Sequence, residues 1–364
     1  SSGEWGSSAP GAMPTDGGLA GEELPMLCHA SLPKRILAQT LVDESGGDAA
    51  STFAGALALT TAQASLGRMG TDSAFGPLAE GAVPSRFLPT PSPAQELPMS
   101  AERVVPRAPE AGQRLRLLID SDVANEIDDL YAIALALAAP ERFDVRGFVA
   151  THFAASGGPD STEQSYQLLR QLLRAAGCDA AYTAKRGGDP MQYGGVPSPS
   201  EGADFIIEQA LAASSENPLW VVVLGAATNT ASAILKAPEI MPRLRVVFHS
   251  RCARLWPERT EQFNVVGDVP AVQTLLASGV SLVWFDTGTQ LTIAYEETAR
   301  RLAPLCATGR FLHEFRDRRP GFASPHKGFF DMGDIAWLID PTLCQMETVP
   351  APTLRRSLAF DQGR

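Results

Sequence analysis

Residues 117–137, LLIDSDVANEIDDLYAIALAL, join an apolar run, an acidic loop and an amphipathic segment. The apolar run Leu115 to Ile119, broken by one Arg, predicts a buried strand that ends at Asp120. The apolar residues after the loop recur at helical spacing: Leu130, Ile133, Ala134 and Leu137. The spacing predicts an amphipathic helix packed on a sheet. Open α/β sheets bind their ligands at the carboxyl ends of the strands, where this loop would lie.

The loop is crowded with acidic side chains, which are Asp120, Asp122, Glu126, Asp128 and Asp129. Neighbouring carboxylates repel one another, so such a cluster is stable when a cation or shared protons offset the charge. Oxygen ligands without nearby Cys or His favour Ca²⁺ or Mg²⁺ over zinc. The alternative is a solvated loop that caps a helix N-terminus. That alternative explains Asp128 and Asp129 but not the two aspartates directly after a buried strand, so we favour the metal site.

Composition limits the class of protein. The chain has 364 residues, 45% of them hydrophobic, which suffices for one large domain or two smaller ones. A net charge of −11 argues against nucleic acid or an acidic membrane as partner. The five cysteines form no CxxC pair, which favours a reduced, cytoplasmic setting without structural zinc. No apolar run approaches the roughly 18 residues of a membrane span.

Residues 1–113 differ from the rest because they are rich in Gly, Ala, Ser and Pro. Such a composition buries little apolar surface, so we expect a largely disordered, low-complexity N-terminal extension. Two short stretches, Leu32 to Val42 and Ala54 to Leu66, could be helical. We place the folded domain at residues 114–364.

Strands and helices alternate from residue 114 onward. The predicted strands are Arg114–Ile119, Val145–Thr151, Leu219–Leu224, Leu244–His249 and Ser281–Phe285. The predicted helices are Leu130–Ala138, Glu163–Ala176, Ala203–Ala213, Thr228–Leu235, Pro270–Ala277 and one that contains Ile335–Ile339. The alternation predicts an α/β fold: an open, doubly wound, mostly parallel sheet with helices on both faces.

Three later loops should reach the same edge of the sheet. Thr228 opens a helix after a strand, and it is either a helix cap or the source of a carbonyl ligand for Ca²⁺. Asn264 can hydrogen-bond a polar ligand, whereas Asp268 precedes a helix-starting proline and should be a cap. Of Asp331 and Asp334, we expect one to cap a helix and the other to complete a cation site.

These pieces, in this order, resemble the inosine–uridine-type nucleoside hydrolase family over roughly residues 114–343. The family's Asp-x-Asp and Asp-Asp correspond to Asp120, Asp122, Asp128 and Asp129. Its Gly-Pro-Leu-Thr-Asn turn corresponds to Gly225, Ala226, Ala227, Thr228 and Asn229. Its Glu-Phe-Asn and following Asp correspond to Gln262, Phe263, Asn264 and Asp268, and its late His-Asp to Phe330 and Asp331.

The resemblance implies a nucleoside hydrolase-like sheet that holds one Ca²⁺ at the bottom of a ribose pocket. The implied metal ligands are Asp122, Asp129, Asp331 and the carbonyl of Thr228. By the same resemblance Asp122 is also the catalytic base on a water held by the ion, and Asp128 and Asn264 bind the ribose hydroxyls. It implies hydrolysis of an N-glycosidic bond of a ribonucleoside, and a possible homo-oligomer. An acidic pocket suits this reaction because its transition state resembles an oxocarbenium ion.

The chain also departs from the family pattern. The first loop is two residues longer, so Asn125 and Glu126 should join the substrate-binding rim. Gln262 replaces the ribose-binding Glu, and we expect it to contact the substrate from that position. Phe330 replaces the His that protonates the leaving nucleobase. His152, after the second strand, is the best candidate for that acid, with His326 next. We take the basic loop residues Lys185, Arg186 and Lys327 as solvated charges.

Two other readings stay open. The chain could be a non-catalytic or divergent sugar- or nucleoside-binding protein that retains the metal site. It could also be a hydrolase of another glycoside. The losses of His and Glu from the pocket are the features that favour these alternatives.

Overall fold

The computed structural model describes residues 103–251, 255–286 and 291–361. Its main sheet has six parallel strands: β1 (Leu115–Ser121), β2 (Phe143–Ala150), β3 (Ala184–Arg186), β4 (Leu219–Val223), β5 (Leu244–Arg251) and β6 (Ser281–Asp286). The strand order is β3-β2-β1-β4-β5-β6. Two small antiparallel pairs follow, β7 (Thr292–Ala294) with β8 (His326–Gly328), and β9 (Thr353–Leu354) with β10 (Phe360–Asp361).

The helices are α1 (Asp128–Leu137), α2 (Ala154–Gly157), α3 (Ser161–Ala175), α4 (Glu201–Leu211), α5 (Thr228–Lys236), α6 (Phe263–Gly267), α7 (Val269–Ala277), α8 (Tyr295–Glu297), α9 (Ala307–Asp317) and α10 (Met332–Ile339). A π-helical turn, Thr298–Leu302, continues α8, and 3₁₀ turns cover Pro238–Arg243 and Pro341–Leu343. Within the described ranges, no helix is long and apolar enough to cross a membrane.

Two hydrophobic cores lie on opposite faces of the sheet. Leu117 and Ile119 of β1 pack into the core formed with α1, α3, α9 and α10. Leu118 of the same strand points into the core formed with α4, α5 and α7. Because successive side chains of a strand point to opposite faces, an apolar run such as β1 needs helices packed against both faces of the sheet. The doubly wound sheet predicted from the sequence is therefore confirmed.

All eleven predicted elements of residues 114–364 are present, with ends that differ by up to three residues. The sequence did not predict the short elements α2, α6, α8 and β7 to β10, nor β3 and α9. β3 and α9 both lack a strong apolar run. β3 is a three-residue edge strand, Ala-Lys-Arg, and α9 is mostly polar with single apolar positions. The two helices suggested at 32–42 and 54–66 lie outside the described residues.

The segment 103–113, which we assigned to the extension, lies against the domain in the structure. The guanidinium of Arg103 donates to the carbonyl of Leu276 at the end of α7, at 2.7 Å. The carbonyl of Glu110 accepts a 2.7 Å hydrogen bond from Arg142, a residue whose side chain also donates to Leu338. The last eleven residues of the proposed extension thus share hydrogen bonds with the α/β domain.

Candidate metal centre

Acidic side chains from the two ends of the domain meet above β1. Asp120 ends the buried part of β1, Asp122 follows it, and Asp128 and Asp129 form the first turn of α1. Asp331 directly precedes α10, which packs against α1. The amide N of Phe330 donates to Asp128 Oδ2 at 3.0 Å, which joins the late loop to the first one.

This cluster has the donor set of a site for a hard cation. Asp128, Asp129 and Asp331 each offer a carboxylate oxygen, and these oxygens lie within 4.8 Å of one another. All three residues are buried, as is Asp122. Asp122 Oδ2 and Asp128 Oδ1 are buried atoms that find no hydrogen-bond partner among the described residues. Because an unpaired buried carboxylate oxygen is costly, these oxygens fit Ca²⁺, a cation that prefers carboxylate ligands.

Burial raises the pKa of the carboxyls in this cluster because a carboxylate loses its hydration there. The pKa of Asp122 lies well above its usual range, through burial and then through repulsion by Asp129 and Asp128. Burial and the charges of Asp128 and Asp129 also raise the pKa of Asp331 well above its usual range. Burial and Asp128 raise the pKa of Asp129 to about 7. Metal binding at such a site requires these protons to leave.

Asp120 lies behind the cluster and holds the next loop. Its Oδ1 accepts from Asn229 Nδ2 at 3.0 Å and its Oδ2 accepts from Thr230 Oγ1 at 3.4 Å. Asn229 Oδ1 in turn accepts from the amide N of Gly188 at 2.9 Å. Asp120 therefore ties the loop after β4 to β1, and through Asn229 to the loop after β3.

The buried Asp120 predicts a pH-dependent stability. Burial raises its pKa from 3.8 to about 7, against the weaker opposing effect of hydrogen bonds from Asn229 and Thr230. The folded protein therefore holds the proton of Asp120 more tightly than the unfolded chain does. This difference stabilises the fold fully below about pH 4, and the stabilisation is lost as the pH rises towards 7. The rise in the pKa of Asp120 corresponds to about 4 kcal/mol in the free energy of unfolding. In calcium-free protein, Asp120→Asn should be more stable than wild type near pH 7.5 by up to that amount, and about equal near pH 4.

Denaturant unfolding of both proteins at the two pH values measures this difference. Asn can still accept from Asn229 through Oδ1 and can donate to Thr230, so the exchange leaves no group unpaired. Asp144→Asn, in β2 at the opposite end of the strands, is the matched control and should not change the pH dependence. Equal pH dependence in wild type and Asp120→Asn would contradict the prediction.

The turn after β4 passes against Asp122. A Cβ atom added to Gly225 would lie 2.9 Å from Asp122 Cγ, 3.0 Å from Asp122 Cβ and 2.5 Å from Thr151 Cγ2. The backbone of this turn can approach the acidic loop because residue 225 has no side chain. The orientation of Asp122 therefore depends on a glycine in a different loop.

Thr228 does not cap its helix by a side-chain hydrogen bond, contrary to the simpler of the two expectations. The N-cap of α5 is Ala227, and the hydroxyl of Thr228 donates to Asp268 Oδ2 at 2.5 Å. Asp268 also accepts from the amide N of Ala271 at 3.0 Å, so the prediction that it caps α7 is confirmed. The carbonyl of Thr228 as a metal ligand stays a prediction.

His152 is part of the same buried network. Its Nε2 lies 2.7 Å from Thr228 Oγ1, and its Nδ1 lies 3.5 Å from the amide N of Ala154. Since Thr228 donates to Asp268, the imidazole is the donor to Thr228. Burial lowers the pKa of His152 to about 4, so the ring is neutral at pH 7. In this arrangement the N–H of the ring is directed at Thr228. The role of His152 as the acid for the leaving group stays a prediction.

The predicted sugar-binding residues near α6 make contacts within the protein. Asn264 Nδ2 donates to the carbonyls of Leu224 at 2.6 Å and His249 at 2.9 Å, which joins the ends of β4 and β5. Gln262 caps α6, since its Oε1 accepts from the amide N of Val265 at 3.2 Å. Substrate binding by either residue stays a prediction, and it would have to use Asn264 Oδ1 or the amide group of Gln262.

Neither Asp331 nor Asp334 caps α10 by a side-chain hydrogen bond, which corrects our expectation for that loop. Asp334 Oδ2 instead lies 2.6 Å from Nδ1 of His249, and Asp331 Oδ1 lies 3.3 Å from its Nε2. Burial alone would lower the pKa of His249, but the charges of Asp334, Asp128 and Asp129 raise it above its ordinary value. The sequence reading missed His249, although it ends a predicted strand at the edge where ligands bind.

The longer first loop forms an ion pair at the edge of the cluster. Glu126 Oε2 lies 2.8 Å from Nζ of Lys327, whose side chain is only 12% exposed, so Lys327 is not the solvated charge we expected. Burial raises the pKa of Asp128 and the Lys327 ammonium opposes that rise, so Lys327 lies near the carboxylate cluster. Asn125 Oδ1 accepts from Ser156 Oγ at 3.3 Å. Contact of Asn125 or Glu126 with a substrate stays a prediction.

Comparisons with known proteins agree with this geometry. The sequence profile of the family described as inosine-uridine preferring nucleoside hydrolase matches residues 117–357. The non-specific ribonucleoside hydrolase RihC of Escherichia fergusonii is 28% identical over 250 residues, which are 63% of this chain and 81% of that protein. RihC of Klebsiella pneumoniae is 29% identical over 255 residues, covering 64% of this chain and 82% of the relative.

Solved structures show the same fold at lower identity. A plant nucleoside hydrolase superposes with a TM-score of 0.54 at 18% identity, covering 69% of this chain and 88% of that one. An inosine-guanosine nucleoside hydrolase superposes with a TM-score of 0.52 at 18% identity, covering 67% of this chain and 84% of that one. At this identity the likeness concerns the arrangement of the sheet and helices, and the chemistry has to be argued from the residues themselves.

Proposed function

The chain belongs to the inosine-uridine preferring nucleoside hydrolase family, and from that premise we propose that it hydrolyses the N-glycosidic bond of a ribonucleoside. The observation that carries the proposal is the buried carboxylate cluster, in which Asp122 and Asp128 have oxygens that no group in the described part of the chain hydrogen-bonds. A purely structural acidic cluster would be expected to satisfy these oxygens from the protein.

We propose Ca²⁺ as the cofactor, held by Asp122, Asp129 and Asp331 with the carbonyl of Thr228. Asp128, which contributes to the closest group of oxygens, is available both to the ion and to a ribose hydroxyl. When bound, the ion supplies positive charge that orients water and lowers its pKa.

Asp122 is the residue we assign as catalytic base. Its carboxyl group is buried and, once the cluster is deprotonated, its unpaired Oδ2 can accept the proton of the attacking water. As the water oxygen bonds to the anomeric carbon, the C–N bond breaks and its electron pair leaves with the nucleobase, which takes up a proton from solvent. The negative charge of the remaining carboxylates stabilises the positive charge that develops on the ribose ring.

Two side chains predicted to contact the sugar have hydrogen-bond partners within the protein. Gln262 caps α6, and the amide of Asn264 joins two strand ends. These observations support the alternatives of a different glycoside substrate or of sugar binding without turnover.

A substrate panel tests the proposal directly. The full chain is incubated with Ca²⁺ and with purine and pyrimidine ribonucleosides, their 2′-deoxy forms and p-nitrophenyl riboside, and the release of sugar and base is measured. We expect turnover of at least one ribonucleoside, its loss with a calcium chelator and its recovery when Ca²⁺ is restored. Turnover of p-nitrophenyl riboside alone would indicate that no group protonates the leaving base, since nitrophenolate leaves without a proton.

Two outcomes would contradict the proposal. Calorimetric binding of ribose or nucleosides without any turnover would support the sugar-binding alternative. Turnover restricted to glycosides other than ribosides would support the second alternative and remove nucleosides as the substrate class.

A further inference from the structure

His249 connects two of the acidic residues near α10. It lies near the end of β5 and is 3% exposed. Its Nε2 is 3.3 Å from Asp331 Oδ1, and its Nδ1 is 2.6 Å from Asp334 Oδ2. The ring stacks on Phe285 of β6, with centroids 6.4 Å apart and planes at 23°. One buried imidazole therefore has a carboxylate oxygen at each of its nitrogens.

The surroundings of Asp331 explain why such a contact matters. Asp331 precedes α10 without a capping hydrogen bond, and its acidic neighbours Asp128 and Asp129 repel it. Among the described residues, His249 is the ion-pair partner of the Asp331 carboxylate. Asp129 and Asp331 also share a side-chain hydrogen bond, which needs a proton on one of them. Once that proton leaves, the contact with His249 opposes the repulsion that would push the Asp331 carboxylate away from the other oxygens of the cluster.

His249 is itself held from two sides. Asp334 lies on the first turn of α10 and is fully buried, so it fixes the tilt of the ring through Nδ1. The main-chain carbonyl of His249 accepts from Asn264 Nδ2 at 2.9 Å, which fixes the end of β5. The ring therefore has little freedom to follow Asp331 if that carboxylate moves.

We propose that His249 is a positioning residue for the metal centre: it orients Asp331 towards the cation, and Asp334 orients His249. This inference rests on the calcium site of the proposed function but adds two residues that do not bind the ion. Both ring nitrogens face carboxylates, and Ca²⁺ prefers oxygen ligands, so the imidazole acts on Asp331 and not on the metal. Groups that orient metal ligands in this way typically change metal affinity by about 10- to 100-fold when replaced.

Two substitutions of His249 separate orientation from packing. The amide nitrogen of Gln reaches the position of Nε2 and can still donate to Asp331, whereas that of Asn reaches only the position of Nδ1. We expect His249→Asn to weaken Ca²⁺ binding by about 10- to 100-fold and His249→Gln to retain most of it. Calorimetric titration of the metal-free full chain with Ca²⁺ measures both, without reference to activity.

His313→Asn is the matched control. His313 lies on α9, where its Nδ1 is 3.1 Å from Thr298 Oγ1, and its replacement should leave Ca²⁺ affinity unchanged. Wild-type affinity in His249→Asn would overturn the inference and leave the proposed function intact. Failure of the wild type itself to bind Ca²⁺ would overturn both. Should His249→Asn not fold, Asp334→Ala frees the ring at Nδ1, and unchanged affinity there would equally overturn the inference.

Discussion

Asp122→Asn is expected to lower kcat for the preferred nucleoside by about 10²- to 10⁴-fold, the range that general base catalysis contributes. An amide cannot accept the proton of the attacking water, but it retains the shape of the side chain and one oxygen for the cation. Steady-state kinetics at saturating Ca²⁺ and nucleoside measures the change.

Calcium titration of the same variant distinguishes the two roles proposed for Asp122. Loss of kcat at saturating Ca²⁺ supports the role of base. Full recovery of activity when Ca²⁺ is raised would instead leave Asp122 as a metal ligand only. Asp144→Asn removes one negative charge at the opposite end of the strands and should keep wild-type kcat. Wild-type activity in Asp122→Asn would remove Asp122 from the mechanism.

The fold could be predicted from the sequence because apolar periodicity reports local structure directly. β1 and α1 follow from residues 115–137 alone, since a run of buried apolar residues and a helical repeat lie on either side of the acidic loop. β3 could not be predicted, because an edge strand of Ala-Lys-Arg is paired through its backbone and carries no apolar pattern.

The candidate site was predictable in part. The acidic loop indicated a cation site, and the expected meeting of Asp331 with Asp129 is present in the structure. The partners of the polar loop residues were not predictable, since helix caps and tertiary hydrogen bonds use the same residue types at the same positions. Thr228 donates to Asp268 instead of capping α5, and only the folded chain brings those two residues together.

Histidine illustrates the same limit. His152 and His249 both lie at the carboxyl ends of strands, and residue type alone does not separate them. The hydrogen-bond partners of His152 are a hydroxyl and a backbone amide, and its nearest carboxylate oxygen, Asp268 Oδ2, is 4.0 Å away. His249 instead lies between two carboxylates. The groups that face His249 belong to α10 and the residue before it, and the hydroxyl that faces His152 follows β4. Both lie far from these histidines in the sequence.

Gly225→Ala should disable the site without removing any polar group. The new Cβ would lie 2.9 Å from Asp122 Cγ and 2.5 Å from Thr151 Cγ2, closer than side chains can pack. Both neighbours are buried, so the side chain of Asp122 has to shift. Misplacement of a reacting group by about 1 Å can cost about 10²-fold, and we expect a loss of that order in kcat/KM. Weaker Ca²⁺ binding should accompany it, since Asp122 is also a proposed ligand.

Gly321→Ala is the matched control because a Cβ there meets no atom within 4 Å, and this variant should behave as wild type. Overpacking itself costs about 1–3 kcal/mol, so the thermal stability of Gly225→Ala has to be measured and the assay run well below its melting temperature. A folded Gly225→Ala with normal turnover and normal Ca²⁺ affinity would show that the position of Asp122 is not critical. The reaction would then need a base other than Asp122, and the carboxylates of Asp128 and Asp129 would be the first to test because both are buried near Asp122 and repel it.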